Sequence, residues 1–133
     1  MIKLAIAYVG SALAMALLDA LWLSQVGPKV YRPALAGILT EGFRLGPAIV
    51  FYALYVVGIV IFAVRPALGS GRWTEAVLMG ALFGFFCYAT YDLTNMATFK
   101  VWPMHVTLID IAWGAVLTGT AALVGYAAAN RFA

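Results

Sequence analysis

The segment WTEAVLMGALFGFFCYATYDLTN, residues 73–95, decides the fold because it is long and apolar enough to cross a lipid bilayer. A spanning helix needs about 20 mainly apolar residues, and the charged side chains of this segment, Glu75 and Asp92, stand near its ends. Segments of similar character cover residues 4–23, 47–64 and 104–129. The sequence therefore predicts an all-α fold, a four-helix transmembrane bundle that forms a single integral membrane domain over residues 1–133.

The composition supports a membrane location. Of the 133 residues, 65% are hydrophobic and 10% are charged, whereas roughly a quarter of the residues in soluble domains are charged. Four spans leave no room for a soluble domain, so a site must lie between helices or at the membrane surface. The single cysteine, Cys87, excludes an internal disulfide. The net charge of +3 is spread over loop ends, which gives no support for nucleic-acid binding.

The links between the spans indicate how the helices are arranged. The second and third links, residues 65–72 and 96–103, are short and therefore predict antiparallel neighbours. The first link is longer, and in it Pro33 suits the first turn of a helix while Gly42 suits its end. Apolar residues recur between them at helical spacing, namely Leu35, Ile38, Leu39 and Phe43. We expect a short interfacial helix here, between the first and second spans, and a partly ordered loop is the alternative.

Small residues recur at four-residue spacing in three of the spans, a pattern that allows helices to approach closely. They are Gly80 and Gly84, Gly10 and Ala14, and Ala115 and Gly119. The pattern predicts packing surfaces, and it leaves open whether these surfaces pack within one chain or between the chains of a dimer.

Three carboxylates fall inside or at the edge of the predicted spans, at Asp19, Asp92 and Asp110. Such placement costs about 2.5–3.5 kcal/mol for an isolated carboxylate at mid-bilayer, and these residues usually face the bundle interior or a functional path. Spans one and three run in one direction and span four runs back. The sequence therefore predicts all three carboxylates in one leaflet, with Asp19 and Asp110 roughly 7 to 11 Å below the helix ends.

Polar and aromatic residues accompany these carboxylates on the same helix faces. We predict a ligand-binding site, acidic and lined by aromatic rings, formed by Asp19, Tyr88, Tyr91, Asp92, Asn95, Asp110 and Trp113. The alternative is a structural network in which lysine and arginine stems reach in to neutralise the aspartates. Asp19 and Trp22 repeat the D-x-x-W spacing of Asp110 and Trp113, but two matched positions do not establish a repeat.

Metal binding is weakly indicated. Three carboxylates with Asn95 or His105 would suit a hard cation such as Mg²⁺ or Ca²⁺, yet no spacing is diagnostic of a metal site. His105 lies five residues before Asp110, about 140° around a helix, so the two do not share a face. We therefore predict no metal site and assign no cofactor and no catalytic residue.

The string YDLTNMATFKVWP, followed by VTLIDIAWG, resembles a family of small bacterial four-span membrane proteins known only as a domain of unknown function. The resemblance covers essentially the whole chain. It implies signature positions at Tyr91, Asp92, Leu93, Thr94, Asn95, Trp102, Pro103, Asp110, Trp113 and Gly114. It implies no established activity, although genes of such proteins often lie near those of lipid-modifying enzymes.

The functional prediction is a protein of the bacterial inner (cytoplasmic) membrane that binds or transfers a lipid-like or amphiphilic small molecule. One alternative is a membrane-embedded lipid-modifying enzyme that uses an aspartate pair. Another is an accessory subunit that docks a partner membrane enzyme. Membrane lipids are the expected partners, and a homodimer is left open. Lysine and arginine are evenly divided between the two faces, and the amino terminus favours cytoplasmic N- and C-termini.

Overall fold

The computed structural model describes residues 1–39 and 44–133. This part of the chain folds into four helices, which we call α1 (Ile2–Ala34), α2 (Leu45–Ser70), α3 (Trp73–Thr98) and α4 (Met104–Phe132). Each helix is long and apolar enough to cross a membrane, and none of the described residues forms a strand. The predicted all-α bundle with four spans is therefore confirmed.

Helix α1 extends well beyond its predicted end at residue 23. Its α-helical part, Ile2–Val26, continues through a π-helical turn, Gly27–Tyr31, into Arg32–Ala34. Pro28 and Pro33 cannot donate a backbone hydrogen bond, and the ladder of hydrogen bonds changes register there instead of ending. At 1.5 Å per residue α1 is about 50 Å long, longer than the roughly 30 Å hydrocarbon core. One end of α1 therefore reaches beyond that core.

The expected short helix between the first two spans falls only partly within the described residues. The helical turn that contains Pro33 is the end of α1 rather than a separate element, and residues 35–38 form a turn after it. Leu35 is buried, whereas Ile38 and Leu39 are exposed. Gly42 and Phe43, which complete the predicted helix, lie outside the described residues.

Helix α2 also exceeds its predicted bounds of 47–64, because a π-helical turn, Val60–Val64, leads into a further helical segment, Arg65–Ser70. Pro66 stands in the first turn of that segment and cannot donate a backbone hydrogen bond, and the π-helical turn before it lets the helix continue. Gly71 then ends the helix in a left-handed conformation, with φ of 73°. Glycine adopts this conformation without strain, and the chain reverses there into α3.

Helix α4 packs closely against α3 on one side and α1 on the other. A Cβ atom added to Gly84 would lie 2.2 Å from the carbonyl oxygen of Gly114, and one added to Gly125 would lie 2.2 Å from Oγ of Ser11. A Cβ atom added to Gly80 would lie 2.7 Å from Cβ of Ala122, and one added to Gly119 would lie 3.2 Å from the carbonyl oxygen of Val77. The small residues therefore allow close approach of helices within one chain.

Polar side chains in this core are satisfied by neighbouring helices. Ser11 donates a hydrogen bond of 2.8 Å to the carbonyl oxygen of Ala121, and Tyr55 and Thr118 share one of 2.7 Å between their hydroxyl groups. These bonds join α1 to α4 and α2 to α4. They match the requirement that buried polar groups find partners inside the protein.

The bundle is closed at one end and open at the other. Helix α2 is buried against its neighbours only from Tyr55 onward, where Val56, Ile59, Ala63 and Val64 enter the core. Residues 45–54 of α2 include no buried side chain. The open end is where α1 and α3 finish and α4 begins, and it also holds Asp19, Asp92 and Asp110. We call it the acidic end.

Candidate functional site

The three aspartates predicted to share one leaflet do lie together at the acidic end. Asp19 comes from the later part of α1, Asp92 from that of α3, and Asp110 from the early part of α4. Asp110 adjoins Asp92 directly and also interacts electrostatically with Asp19. The antiparallel course of the helices is what places three carboxylates from distant parts of the sequence at similar depth.

Asp19 is held by two aromatic donors from other helices. The indole Nε1 of Trp113 donates a hydrogen bond of 3.1 Å to its Oδ1, and the hydroxyl of Tyr52 donates to its Oδ2. The side chain is 9% exposed. Hydrogen bonds to a carboxylate are stronger than those between neutral groups, so these donors connect α1 to both α4 and α2.

Asp110 is held by a chain of two donors. The indole Nε1 of Trp22 donates to the hydroxyl of Tyr31 at 3.0 Å, and that hydroxyl in turn donates to Oδ1 of Asp110 at 3.0 Å. Tyr31 stands in the π-helical turn of α1. The described partners of Asp19 and Asp110 are thus uncharged aromatic side chains.

Asp92 is completely buried, with 0% of its surface exposed. Within the described part of the chain neither of its carboxylate oxygens has a hydrogen-bond partner. The carboxyl group of Asp110 and the indole N–H of Trp102 lie next to it, close enough to interact but without the geometry of a hydrogen bond. Two nearby donors, Nδ2 of Asn95 and Nε1 of Trp102, are also buried without partners among the described residues. A buried polar atom without a partner is costly, so these four atoms mark the least satisfied part of residues 1–39 and 44–133.

The two tyrosines of the predicted site take different positions. Tyr88 is half-buried, and its ring lies so close to Gly114 that any side chain there would collide with it. Tyr91 is 58% exposed, and its ring meets the edge of Trp102 with centroids 5.9 Å apart. Tyr88 therefore lies inside the cluster, whereas Tyr91 lies at its periphery.

Three aromatic residues that sequence reasoning did not assign to the site contact its aspartates directly or through a hydroxyl: Trp22, Tyr31 and Tyr52. The D-x-x-W spacing shared by Asp19 and Asp110 was a signal for Trp22. No sequence signal distinguished Tyr52 from Tyr55, the other tyrosine of α2. Its role depends on how α2 is rotated against α1.

Two apolar grooves flank the cluster, each of about 340 Å³ and open on the outer surface of the bundle. The first lies between α1 and α2 and is lined by Tyr8, Ala12, Ala16, Ile49, Tyr52, Ala53 and Val56. The second is lined by Trp22, Ile109, Ala112, Trp113 and Val116. Each groove thus includes at least one side chain that also holds an aspartate. We call them the α1–α2 groove and the α1–α4 groove.

Within residues 1–39 and 44–133, no three His, Cys, Asp or Glu side chains are grouped so as to hold a metal. His105 is exposed, and Asp19 and Asp110 are occupied by aromatic donors.

Fold and site together define a small four-span membrane protein with a buried cluster of aspartates and aromatic side chains at one end of its bundle. The chain belongs to the family described as predicted membrane protein DUF2177, which matches residues 4–127. The function of this family is unknown. No curated protein and no solved structure matches the chain.

Proposed function

We propose that this protein binds or transfers a lipid-like or amphiphilic small molecule at the acidic end of its bundle. The observation that carries the proposal is the α1–α2 groove. This groove is apolar, opens on the lipid-facing surface, and includes Tyr52, whose hydroxyl donates to the buried Asp19. The apolar chain of an amphiphile would pack in the groove, and its polar headgroup would lie next to Tyr52 and Asp19.

The side chains that line the α1–α2 groove support this proposal. Small side chains, Ala12 and Ala16 of α1 and Ala53 of α2, line the groove between these two helices. Ligand sites in proteins are usually apolar concave surfaces with a few placed polar groups. A membrane-facing groove of this kind suits a ligand that enters sideways from the bilayer.

The proposal includes a location. We place the protein in the bacterial inner membrane with both termini in the cytoplasm, because the amino terminus adds positive charge to that face. The acidic end then faces the periplasmic leaflet. Membrane lipids are the available ligands there.

The test has two steps. The first identifies the amphiphile that copurifies with the protein, and the second determines whether it binds in one of the grooves. Native mass spectrometry of the detergent-purified chain should show a bound amphiphile, and added ligand should raise the unfolding temperature. Ala16→Trp fills the α1–α2 groove and Ala112→Trp fills the α1–α4 groove, and at least one of them should abolish binding. Leu13→Trp, on the exposed surface of α1, is the matched control. Binding that survives both groove substitutions would refute the proposal.

A second candidate function, a lipid-modifying enzyme, is favoured by one observation. Asp92 and Asp110 adjoin each other on neighbouring antiparallel helices, and a carboxyl pair can divide the roles of acid and base between its members. Incubation of the protein with bacterial lipids, followed by mass analysis, would reveal a product that Asp110→Asn does not form. Lipids recovered unchanged would count against an enzyme.

A further inference from the structure

We infer that the ligand headgroup carries a primary ammonium group, which binds the carboxylates of Asp92 and Asp110, next to an oxygen-rich group that accepts hydrogen bonds. Headgroups of the aminoethyl phosphate type have this chemistry. The inference rests on the proposed function, narrows it to one class of amphiphile, and assigns the headgroup to Asp92 and Asp110 instead of Asp19.

The argument begins with the atoms that lack partners. Two of them, Oδ1 and Oδ2 of Asp92, only accept hydrogen bonds when the side chain is ionised, and two others, Nδ2 of Asn95 and Nε1 of Trp102, only donate. A ligand that satisfied all four atoms would offer donors and acceptors at once. An ammonium group offers three N–H donors, and phosphate oxygens offer acceptors. A purely anionic or purely cationic group would satisfy only half of the set.

The charge of the cluster favours a cation as the donor. Asp110 adjoins Asp92, and Asp19 adds a further carboxylate to the surroundings. The described partners of Asp19 and Asp110 are uncharged indole and hydroxyl groups. Carboxylates at low dielectric need an opposite charge nearby, which a neutral polyol headgroup does not bring.

Access to Asp92 requires a side chain to move, and Trp102 is suited to do so. It stands on the irregular link between α3 and α4, where residues 99–103 are outside any helix. Ring contacts with Tyr91 and Phe99 hold it, each with centroids 5.9 Å apart. Its indole N–H adjoins Asp92 without the geometry of a hydrogen bond, so rotation of the ring gives up only that weak contact.

The experiment compares three lipids that differ only in their headgroups. Native mass spectrometry would measure binding of dioleoyl phosphatidylethanolamine, phosphatidylcholine and phosphatidylglycerol to the detergent-purified protein. Phosphatidylcholine keeps the positive charge but has no N–H donor, and phosphatidylglycerol has hydroxyl donors but no cation. We expect phosphatidylethanolamine to bind about tenfold more tightly than either, as charge-assisted hydrogen bonds require.

Variants assign the preference to the carboxyl pair. Asp92→Asn and Asp110→Asn should each abolish the preference for phosphatidylethanolamine. Glu75→Gln, which removes an acid from the far end of the same helix α3, should preserve it. Soluble phosphoethanolamine at the same concentration should not displace the lipid, because it lacks the apolar chains.

The outcomes separate this inference from the proposed function. Equal binding of all three lipids, a preference for phosphatidylcholine or phosphatidylglycerol, or a preference that survives Asp92→Asn would overturn the headgroup assignment and leave lipid binding intact. Full displacement by soluble phosphoethanolamine would overturn the assignment to an amphiphile. Failure of the unmodified protein to bind any lipid or other amphiphile would instead refute the proposed function itself.

Discussion

The indole rings of Trp22 and Trp113 are stacked, with centroids 4.3 Å apart and planes inclined by 4°. Trp113 donates to Asp19, which precedes Trp22 by one helical turn. Trp22 donates through the hydroxyl of Tyr31 to Asp110, which precedes Trp113 by one turn. Each tryptophan thus supports the aspartate of the opposite helix, and the stacked pair is the centre of a reciprocal arrangement between α1 and α4.

Two substitutions of Trp113 should separate the contribution of its hydrogen bond to Asp19 from that of its stacking on Trp22. Trp113→Phe keeps a ring for stacking but loses the donor to Asp19, so we expect a loss of about 0.6–1.7 kcal/mol in the free energy of unfolding. Trp113→Leu also loses the ring pair, which is worth about 0.5–1.5 kcal/mol more. Denaturant unfolding in detergent measures both. The exposed Trp73→Phe is the control, and equal losses for Phe and Leu would contradict a role for stacking.

Tyr31→Phe should leave two polar groups without partners, because the hydroxyl both accepts from Trp22 and donates to Asp110. We expect a loss of about 1–3 kcal/mol in unfolding free energy. Tyr8→Phe, which removes an exposed hydroxyl bonded to the carbonyl of Ala53, should cost less. A Tyr31→Phe variant as stable as the unmodified protein would show that this relay does not stabilise the fold.

Gly84→Ala should destabilise the bundle. Its Cβ would lie 2.2 Å from the carbonyl oxygen of Gly114 and 2.6 Å from Oγ1 of Thr118, so α3 and α4 must move apart at a cost of about 1–3 kcal/mol. Gly69→Ala is the matched control, because nothing lies within 4 Å of a Cβ added there. That control should be neutral or stabilising by up to about 1 kcal/mol, since alanine favours helix. A melting temperature for Gly84→Ala at or above that of the control would contradict the close approach.

Asp92→Asn should stabilise the ligand-free protein while it abolishes the preference for phosphatidylethanolamine. The substitution removes a buried carboxylate without a described partner and adds a donor beside Asp110. We expect a gain of roughly 1 kcal/mol, as is common when functional groups are removed from strained sites. Thermal unfolding of delipidated protein measures it, with Glu75→Gln as the control for loss of an acid from α3. A lower melting temperature would indicate that Asp92 supports the fold.

An even number of spans places both termini on the same side of the membrane. We propose that this side is the cytoplasm, and reporter fusions test both points. An alkaline phosphatase fused after Ala133 should be inactive, and one inserted after Lys100 in the α3–α4 link should be active. The reverse pattern would place the acidic end in the cytoplasmic leaflet. Active reporters at both positions would contradict the four-span topology.

Much of this architecture follows from composition and chain direction. Apolar length alone determined four spans, because no other structure satisfies so many backbone groups in lipid. Alternation of direction then brought Asp19, Asp92 and Asp110 to one leaflet. Helix ends were harder to place, since the π-helical turns before Pro33 and Pro66 let α1 and α2 continue past residues that ordinarily end a helix.

The partners of the aspartates were decided only by tertiary structure. The rotation of α2 against α1 selected Tyr52 for Asp19, and the approach of α4 at Gly84 and Gly125 set the depth at which Trp113 meets Trp22. Tyr91 was turned outward by the same packing. Helical periodicity states which residues share a face, but contacts between helices depend on rotation and depth, which arise from packing summed over the whole bundle.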